Sequence, residues 1–193
     1  MDPAPPRPRR RADAERSIAR IVSAARAELS RDPDATVEDI AKAAGVGRMT
    51  LYGHFRTRAE LVEAAMTEAL TAGEDILGRV DLGGDAREAM TRLLASSWML
   101  VAESSALLAA AQNVLPPGRV RDMHADAADR VENLIRRGQD QGAFRTDLPI
   151  TWLVNAVQYI LHGAAEEIRV GRLESADGTH IVTATVLSIL GAR

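Results

Sequence analysis

The sequence of 193 residues contains no cysteine and very few aromatic residues. The lack of cysteine excludes disulfide frameworks, thiolate metal ligands and cysteine nucleophiles. Aromatic residues make up only 3% of the chain, but apolar residues make up 46%, which is enough to build a hydrophobic core. Charged residues account for 26%, and this balance excludes a disordered polyelectrolyte.

No segment has the pattern of a secretory signal, because Met1–Ala4 runs into arginines with no apolar stretch behind them. Leu148–Ala165 carries no formal charge, but it contains Pro149, Asn155 and His162. A membrane-spanning helix needs about 20 predominantly apolar residues. We therefore interpret this stretch as a buried helix of a soluble protein, with no membrane partner, and expect a cytoplasmic location.

Charge is distributed unevenly along the chain. The net charge is −3, yet residues 1–58 hold 12 basic and 8 acidic side chains, whereas residues 59–193 hold 12 basic and 19 acidic ones. This asymmetry predicts that only the N-terminal part meets a polyanion. Residues 1–12 are rich in proline and arginine and are predicted to form a disordered basic arm, either solvated or reaching a minor groove.

After residue 12 the pattern is helical, and no alternating strand pattern appears. The first helix face carries apolar residues at helical spacing: Ile18, Ile21, Val22, Ala25 and Leu29. Further helices are separated by glycine and proline, including one predicted from about Val120 to Gln141. The fold class is therefore all-α, with eight to ten helices in two units.

Residues 36–55 have the pattern of a helix-turn-helix. Thr36 is a capping residue for one helix, Gly45 can end it with a positive φ, and a short second helix is predicted from about Arg48 to Phe55. Ala41 is expected where the two helices cross. The N-terminal residues of the second helix would then face base edges, because the major groove of DNA admits a helix.

This segment resembles the TetR family of bacterial one-component regulators. The residues that carry the resemblance are Thr36-Val37-x-x-Ile40-Ala41, Gly45-Val46, Thr50-Leu51-Tyr52-x-His54-Phe55, Arg58 and Leu61. With the first helix included, it covers about residues 13–66. The resemblance implies a three-helix DNA-binding domain at residues 13–57 and a larger helical domain for effector binding and dimerisation at residues 58–193.

The resemblance also implies seven DNA-binding residues: Thr36, Arg48, Met49, Thr50, Tyr52, His54 and Arg58. Of the base-facing residues, Arg48 would donate two hydrogen bonds to a guanine and Met49 would contact a thymine methyl group. Tyr52 and His54 match positions that usually bind phosphates. Thr36 and Arg58 lie at helix starts, where they are expected to contact the DNA backbone.

Two glycines depart from the family pattern. Gly47 stands where a serine or a similar capping residue is common. Gly53 lies inside the second helix, at a cost of about 1 kcal/mol relative to alanine, so this helix is expected to be loose before DNA binds. For His54, packing against Phe55 is an alternative to phosphate contact.

Beyond about residue 80 no motif is recognisable, and the resemblance implies a divergent effector domain. Residues expected to line its pocket are Trp98, Met99, Met123, Trp152, Asn155, Gln158, Tyr159 and His162. The last two helices are expected to form a four-helix dimer interface through Ala156, Val157, Ile160, Ala164, Val182, Val186 and Ile189. For both groups, a place in the core of the single chain is the alternative.

The resulting hypothesis is a homodimeric repressor that binds a palindromic operator in double-stranded DNA and is released by a small-molecule effector. An enzyme is the first alternative, but no serine elbow, phosphate-binding glycine loop or carboxylate–histidine constellation supports it. A binding module that has lost its affinity for DNA is the second. No cofactor is expected, and His124, His162 and His180 lack the spacing of metal ligands.

Overall fold

The computed structural model describes residues 8–116 and 118–192, with side chains described from residue 12 onward. Within these residues the protein is helical and has no β-strand, which confirms the predicted all-α class. The helices are α1 (Pro8–Arg31), α2 (Val37–Ala43), α3 (Arg48–His54), α4 (Arg58–Leu77), α5 (Ala86–Val114), α6 (Arg119–Met123), α7 (Ala125–Asp140), α8 (Ile150–Arg169) and α9 (Gly178–Leu190).

The described residues fall into two compact units. The N-terminal unit comprises residues 8–69 and 106–116, and the C-terminal unit comprises residues 70–105 and 118–192. The N-terminal unit continues past the predicted domain boundary at residue 57, since the first half of α4 contributes the buried residues Leu61, Val62, Ala65 and Met66. The functional division at that boundary stays a prediction.

The start of α1 corrects the predicted disordered arm. The helix begins at Pro8, so residues 8–12 of that segment are helical. Proline is tolerated in the first turn because an N–H group there would have no helical acceptor. Residues 1–7, with the remainder of the predicted arm, lie outside the described residues.

Side-chain caps fix where the next helices begin. The Thr36 hydroxyl accepts a hydrogen bond from the Asp39 amide at 3.2 Å, and the Asp39 carboxylate accepts from the Thr36 amide at 3.0 Å. This reciprocal box starts α2 as predicted, and Gly45 at φ 65° follows its end. At α4, the Thr57 hydroxyl accepts from the Glu60 amide at 3.1 Å.

The core of the C-terminal unit is formed by α5, α7, α8 and α9 with the segment around Phe144. Two glycines allow aromatic rings to lie against helix backbones. A Cβ atom built on Gly138 would lie 2.0 Å from Cδ2 of Phe144, and one built on Gly178 would lie 2.2 Å from Cζ2 of Trp98. The packing of these rings therefore requires glycine at both positions.

The predicted helix over Val120–Gln141 is divided in the structure into α6 and α7. At the break, the His124 amide donates to the Arg121 carbonyl at 3.0 Å, three residues back. The His124 ring places Nδ1 2.7 Å from the Val120 carbonyl, which is the acceptor that a continuous α-helix would use. The side chain thus competes with the backbone and ends α6.

Among the described helices, α5 is the one whose length and apolar composition would allow it to span a membrane. This helix is not the uncharged stretch Leu148–Ala165, whose sequence raised the same question. The α5 residues Leu93, Leu94 and Trp98 are buried in the core of the C-terminal unit. A core helix of a globular protein has the same length and composition, so this feature is weak evidence for a membrane span.

Candidate nucleic-acid interface

Buried apolar residues and backbone hydrogen bonds in the turn join the two helices of the helix-turn-helix. Ala41 of α2 and Leu51 of α3 are both buried, as expected for the place where the two helices cross. In the turn, the Val46 amide donates to the Ala41 carbonyl at 3.0 Å. Leu51 is the single buried residue of α3, and the first three residues of the helix are exposed.

The predicted base-facing residues are exposed. Arg48, Met49 and Thr50 are all solvent-accessible, and Met49 has 83% of its surface exposed. An unbranched apolar side chain at such exposure has no packing role in the single chain. Tyr52 and His54 are half-buried, so each keeps a polar end within reach of a bound molecule.

The guanidinium of Arg48 has two partners from different helices. Its Nη1 donates to the Glu38 carboxylate on α2, forming an ion pair across the turn. Its Cζ lies 5.5 Å from the centroid of the Tyr52 ring, one turn further along α3. The side chain is therefore held by charge on one side and by an aromatic face on the other.

Thr36 serves the cap of α2 in the free protein. Its hydroxyl hydrogen-bonds to the Asp39 carboxylate and accepts from the Asp39 amide. The side-chain hydrogen bond from Thr36, together with the one from its backbone amide, lowers the pKa of Asp39. A phosphate contact by this hydroxyl would have to compete with the cap.

Arg58 is placed differently from the expectation of a free phosphate ligand. Its Nη1 donates to the Ala35 carbonyl, and its Nη2 donates to the Pro33 carbonyl at 2.9 Å. Both carbonyls lie in the segment between α1 and α2. The guanidinium therefore ties α4 to this segment, a tertiary role that the sequence position does not reveal.

One glycine precedes α3 and another lies inside it. Gly47 is the N-cap residue and makes no side-chain capping hydrogen bond. Gly53 is helical and exposed, and a Cβ atom built on it would meet nothing within 4 Å. No neighbouring atom therefore explains a requirement for glycine at position 53.

A family model for bacterial regulatory proteins of the tetR family matches residues 21–65, which span the C-terminal part of α1, all of α2 and α3, and the start of α4. The HTH-type transcriptional regulator NfxB of Pseudomonas aeruginosa is 25% identical over 168 residues, covering 83% of this chain and 87% of that protein. The chain belongs to the TetR family. It is thus a DNA-binding transcriptional regulator, and the recognition made from the motif is confirmed.

Solved structures of TetR-family proteins have the same fold. The TetR-like regulator LfrR of Mycobacterium smegmatis, solved in complex with proflavine, superposes with a TM-score of 0.71 at 19% identity, covering 93% of this chain and 98% of that one. The TetR-family regulator PfmR of Thermus thermophilus gives a TM-score of 0.68 at 20% identity, with 88% and 96% covered. At this identity the similarity establishes the fold.

In this TetR-family chain the eight residues predicted to line a pocket differ widely in exposure. Trp98 is buried; Met123, Gln158 and His162 are half-buried; Met99, Trp152, Asn155 and Tyr159 are exposed. Trp152, Asn155 and Tyr159 are exposed on the outer face of α8. The pocket expected from these eight residues stays a prediction.

A cleft of about 400 Å³ lies instead along one face of α7, and none of the eight predicted residues lines it. Its walls are formed by Leu82, Asp126, Asp129, Arg130, Asn133, Leu134 and Arg137. Arg130 is paired through both terminal nitrogens with Glu74, and this hydrogen bonding lowers the pKa of the Glu74 carboxyl. The Nε and Nη2 atoms of Arg137 are buried and have no hydrogen-bond partner among the described residues.

Two of the histidines are brought together by the fold. The rings of His124 and His162 lie edge to face with centroids 5.7 Å apart. Burial, together with the neighbouring His124, lowers the pKa of His162 to about 4. Within the described ranges, no group of three potential ligands is arranged to hold a metal ion.

The predicted dimer seam is also partly corrected. Val157, Val182 and Val186 have no exposed surface and belong to the core of their own unit. Ala156, Ile160, Ala164 and Ile189 are half-buried. Two aromatic residues of α8, Trp152 and Tyr159, are 55% and 67% exposed in the single chain.

Proposed function

We propose that this TetR-family regulator is a homodimeric repressor that binds a palindromic operator through α3 and is released by a small-molecule effector. The orientation of α3 is the observation that carries the DNA-binding surface: Leu51 is buried, and Arg48, Met49 and Thr50 are exposed beside it. The seam and the effector site lie in the C-terminal unit. No catalytic activity is proposed, and a DNA-binding protein of this kind is expected in the cytoplasm.

Five residues of α3 have a proposed contact with DNA. Arg48 would donate to a guanine and Met49 would contact a thymine methyl group, with Thr50 beside them at the base edges. Tyr52 and His54 would donate to phosphates, which position the protein without reading sequence. Two copies of α3 would enter major grooves about 34–36 Å apart, since the two-fold symmetry of a dimer must match the DNA repeat.

The experiment compares Arg48→Ala with Tyr52→Phe on a duplex selected by the wild-type protein from a randomised pool. Arg48→Ala should reduce discrimination at the contacted guanine by about 1–3 kcal/mol. Tyr52→Phe keeps the ring against Arg48 and removes only the hydroxyl, so it should lower the affinity for specific and random duplexes by the same factor. Fluorescence anisotropy at several salt concentrations measures both effects.

Two outcomes would contradict this surface. Equal losses on specific and random DNA for Arg48→Ala would show that Arg48 does not contact a base. A wild-type protein that binds no duplex at low salt, where phosphate contacts are strongest, would favour a binding module that has lost its affinity for DNA.

The outer face of α8 is proposed as the dimer seam. Trp152 and Tyr159 stand on this face with more than half of their surface exposed, and aromatic residues are enriched at protein interfaces. Val157, Val182 and Val186 lie in the core and are therefore not part of this seam. The proposed seam is the face of α8 that carries the two aromatic residues, and the half-buried Ala156 and Ile160 flank them.

For the effector, the cleft along α7 is proposed as the site. Its volume falls within the range of about 300–1,000 Å³ found for small-molecule pockets. Compounds, beginning with proflavine, would be screened for release of the bound duplex, and responding compounds would be retested on Arg137→Ala. Loss of release without a change in DNA affinity is expected; equal release from both proteins would reject the cleft.

A further inference from the structure

Glu38 is a carboxylate on the surface that is proposed to face DNA. It is the second residue of α2, and its neighbour Thr36 caps the same helix end. A negative charge at a helix N-terminus is favourable for the helix but unfavourable toward phosphates. Electrostatic attraction to DNA therefore does not explain a carboxylate on this surface.

The ion pair between Glu38 and Arg48 explains the carboxylate instead. The pair connects α2 to α3, and both side chains are largely exposed, with 62% and 58% of their surface accessible. Ion pairs at such exposure contribute little to stability, because water screens the charges and two long side chains lose freedom. The effect of the pair is therefore on the conformation of Arg48 more than on the fold.

The hydrogen bond leaves half of the guanidinium available. Nη1 donates to Glu38, while Nε and Nη2 have no acceptor recorded among the described residues. Two adjacent N–H groups on one edge of an arginine are the donors that match O6 and N7 of guanine. The Tyr52 ring, 5.5 Å away, restrains the plane of the same group.

We propose that Glu38 is a specificity-determining positioning residue, which holds Arg48 so that its free edge can bind a guanine. An arginine already restrained loses less side-chain entropy when it binds. The carboxylate also disfavours binding to phosphates alone, so both effects raise the ratio of specific to random binding. This inference rests on the proposed role of α3 in base contact.

The test uses full-length wild type, Glu38→Ala and Glu38→Gln with three duplexes: the selected one, the same one with the contacted guanine replaced, and a random one. In Glu38→Ala, discrimination at that guanine should fall about fivefold or more, while the random duplex binds more tightly. Glu38→Gln keeps an oxygen acceptor for Nη1 and should recover most of the discrimination. Its affinity for the random duplex should still be higher than that of the wild type, because the negative charge is removed.

Two controls separate the explanations. Glu103→Ala removes an exposed carboxylate from α5 and should leave discrimination unchanged, which measures the effect of net charge alone. In an Arg48→Ala background, Glu38→Ala should cause no further loss of discrimination, because the group that it positions is absent.

The outcomes distinguish this inference from the proposed function. If wild type discriminates and Arg48→Ala does not, but Glu38→Ala discriminates as well as wild type, the positioning role is wrong and the DNA-binding role of α3 stands. If Glu38→Ala loses affinity equally for all three duplexes, Glu38 acts on the fold. If wild type shows no preference among duplexes, the base-contact role of α3 fails, and this inference fails with it.

Discussion

The helices α3 and α8 each carry residues that the sequence pointed to for function, but the two helices differ in what determines their orientation. In α3 a single apolar residue, Leu51, is buried and the polar residues around it face outward. In α8 apolar residues lie on both sides: Val157 and its neighbours are in the core, whereas Tyr159 is 67% exposed. The inner face of α3 is therefore defined by one buried residue, and that of α8 by several.

This difference explains why the expected base-facing residues of α3 are exposed whereas part of the expected seam on α8 is buried. For α3, Leu51 is the one residue that is buried, and Arg48, Met49 and Thr50, which the motif assigns to DNA contact, are exposed. For α8, hydrophobicity does not decide which apolar residues pack within the chain and which are left for a partner. Four substitutions test this contrast between an outward-facing helix and the packed helices of the C-terminal unit.

The largest effect is expected from Val157→Asp. This side chain has no exposed surface, so an unpaired buried carboxylate should cost roughly 3–5 kcal/mol and unfold the C-terminal unit. Tyr159→Asp is the matched change on the exposed face and should stay folded, while converting the proposed dimer to monomers. Circular dichroism and sedimentation velocity measure the two properties; a folded Val157→Asp protein would contradict the assigned faces.

Gly138→Ala should be the next most damaging, toward the upper end of about 1–3 kcal/mol, because its Cβ would overlap the Phe144 ring. Urea unfolding followed by fluorescence and circular dichroism gives the change in free energy. In a Phe144→Leu background the same substitution should cost much less. An equal cost in both backgrounds would show that the ring is not the source of the clash.

His162 makes the C-terminal unit sensitive to acid. Its pKa of about 4 in the folded protein lies below the unfolded value near 6.5, so the unfolded chain binds more protons between these values. The contribution of His162 to the free energy of unfolding is fully present above about pH 6.5 and is lost as the pH falls toward 4. At pH 5 the loss is about 2 kcal/mol.

The variant His162→Gln should lack this part of the pH dependence, and the exposed residue His180→Gln should keep it. Urea unfolding at pH 7.5 and pH 5 checks the difference. Parallel pH profiles for wild type and His162→Gln would rule out His162 as the source of acid sensitivity.

The smallest effect is expected from Gly53→Ala on the outward-facing helix. The added methyl group meets no atom, so the change should stabilise α3 by about 0.5–1 kcal/mol through backbone entropy. Slower amide hydrogen exchange at residues 51–55 is the measurement. Unchanged exchange would show that α3 is already rigid despite Gly53. Gly53→Ala is thus expected to stabilise the protein and Gly138→Ala to destabilise it, because one added methyl group meets no atom and the other overlaps a buried ring.

Much of the fold could be predicted from local signals. The Thr36 cap, the positive φ of Gly45 and the start of α4 at Thr57 all follow from residues within one helical turn of one another. The break at His124 was missed, since a histidine is not a usual helix breaker and the hydrogen bond of its ring to Val120 appears only in the structure.

The functional residues also divide into those that local sequence patterns predict and those that only tertiary contacts reveal. Exposure of Arg48 and Met49 follows from the motif, but the partner of Arg48 does not, because Glu38 belongs to another helix. Arg58 matched the motif and yet is bonded to backbone carbonyls. The histidine pair was also missed, since His124 and His162 come from different helices and no sequence spacing relates them.

The sequence by itself determined where most helices begin and end, because capping residues act over three or four residues, and the family motif indicated which side chains of the short helix are exposed. Tertiary structure alone decided which valines of the last two helices are buried, which aromatic residues stay outside, and that Glu38 holds Arg48. Burial and pairing depend on atoms supplied by distant parts of the chain, and hydrophobicity at one position does not specify which surface will cover it.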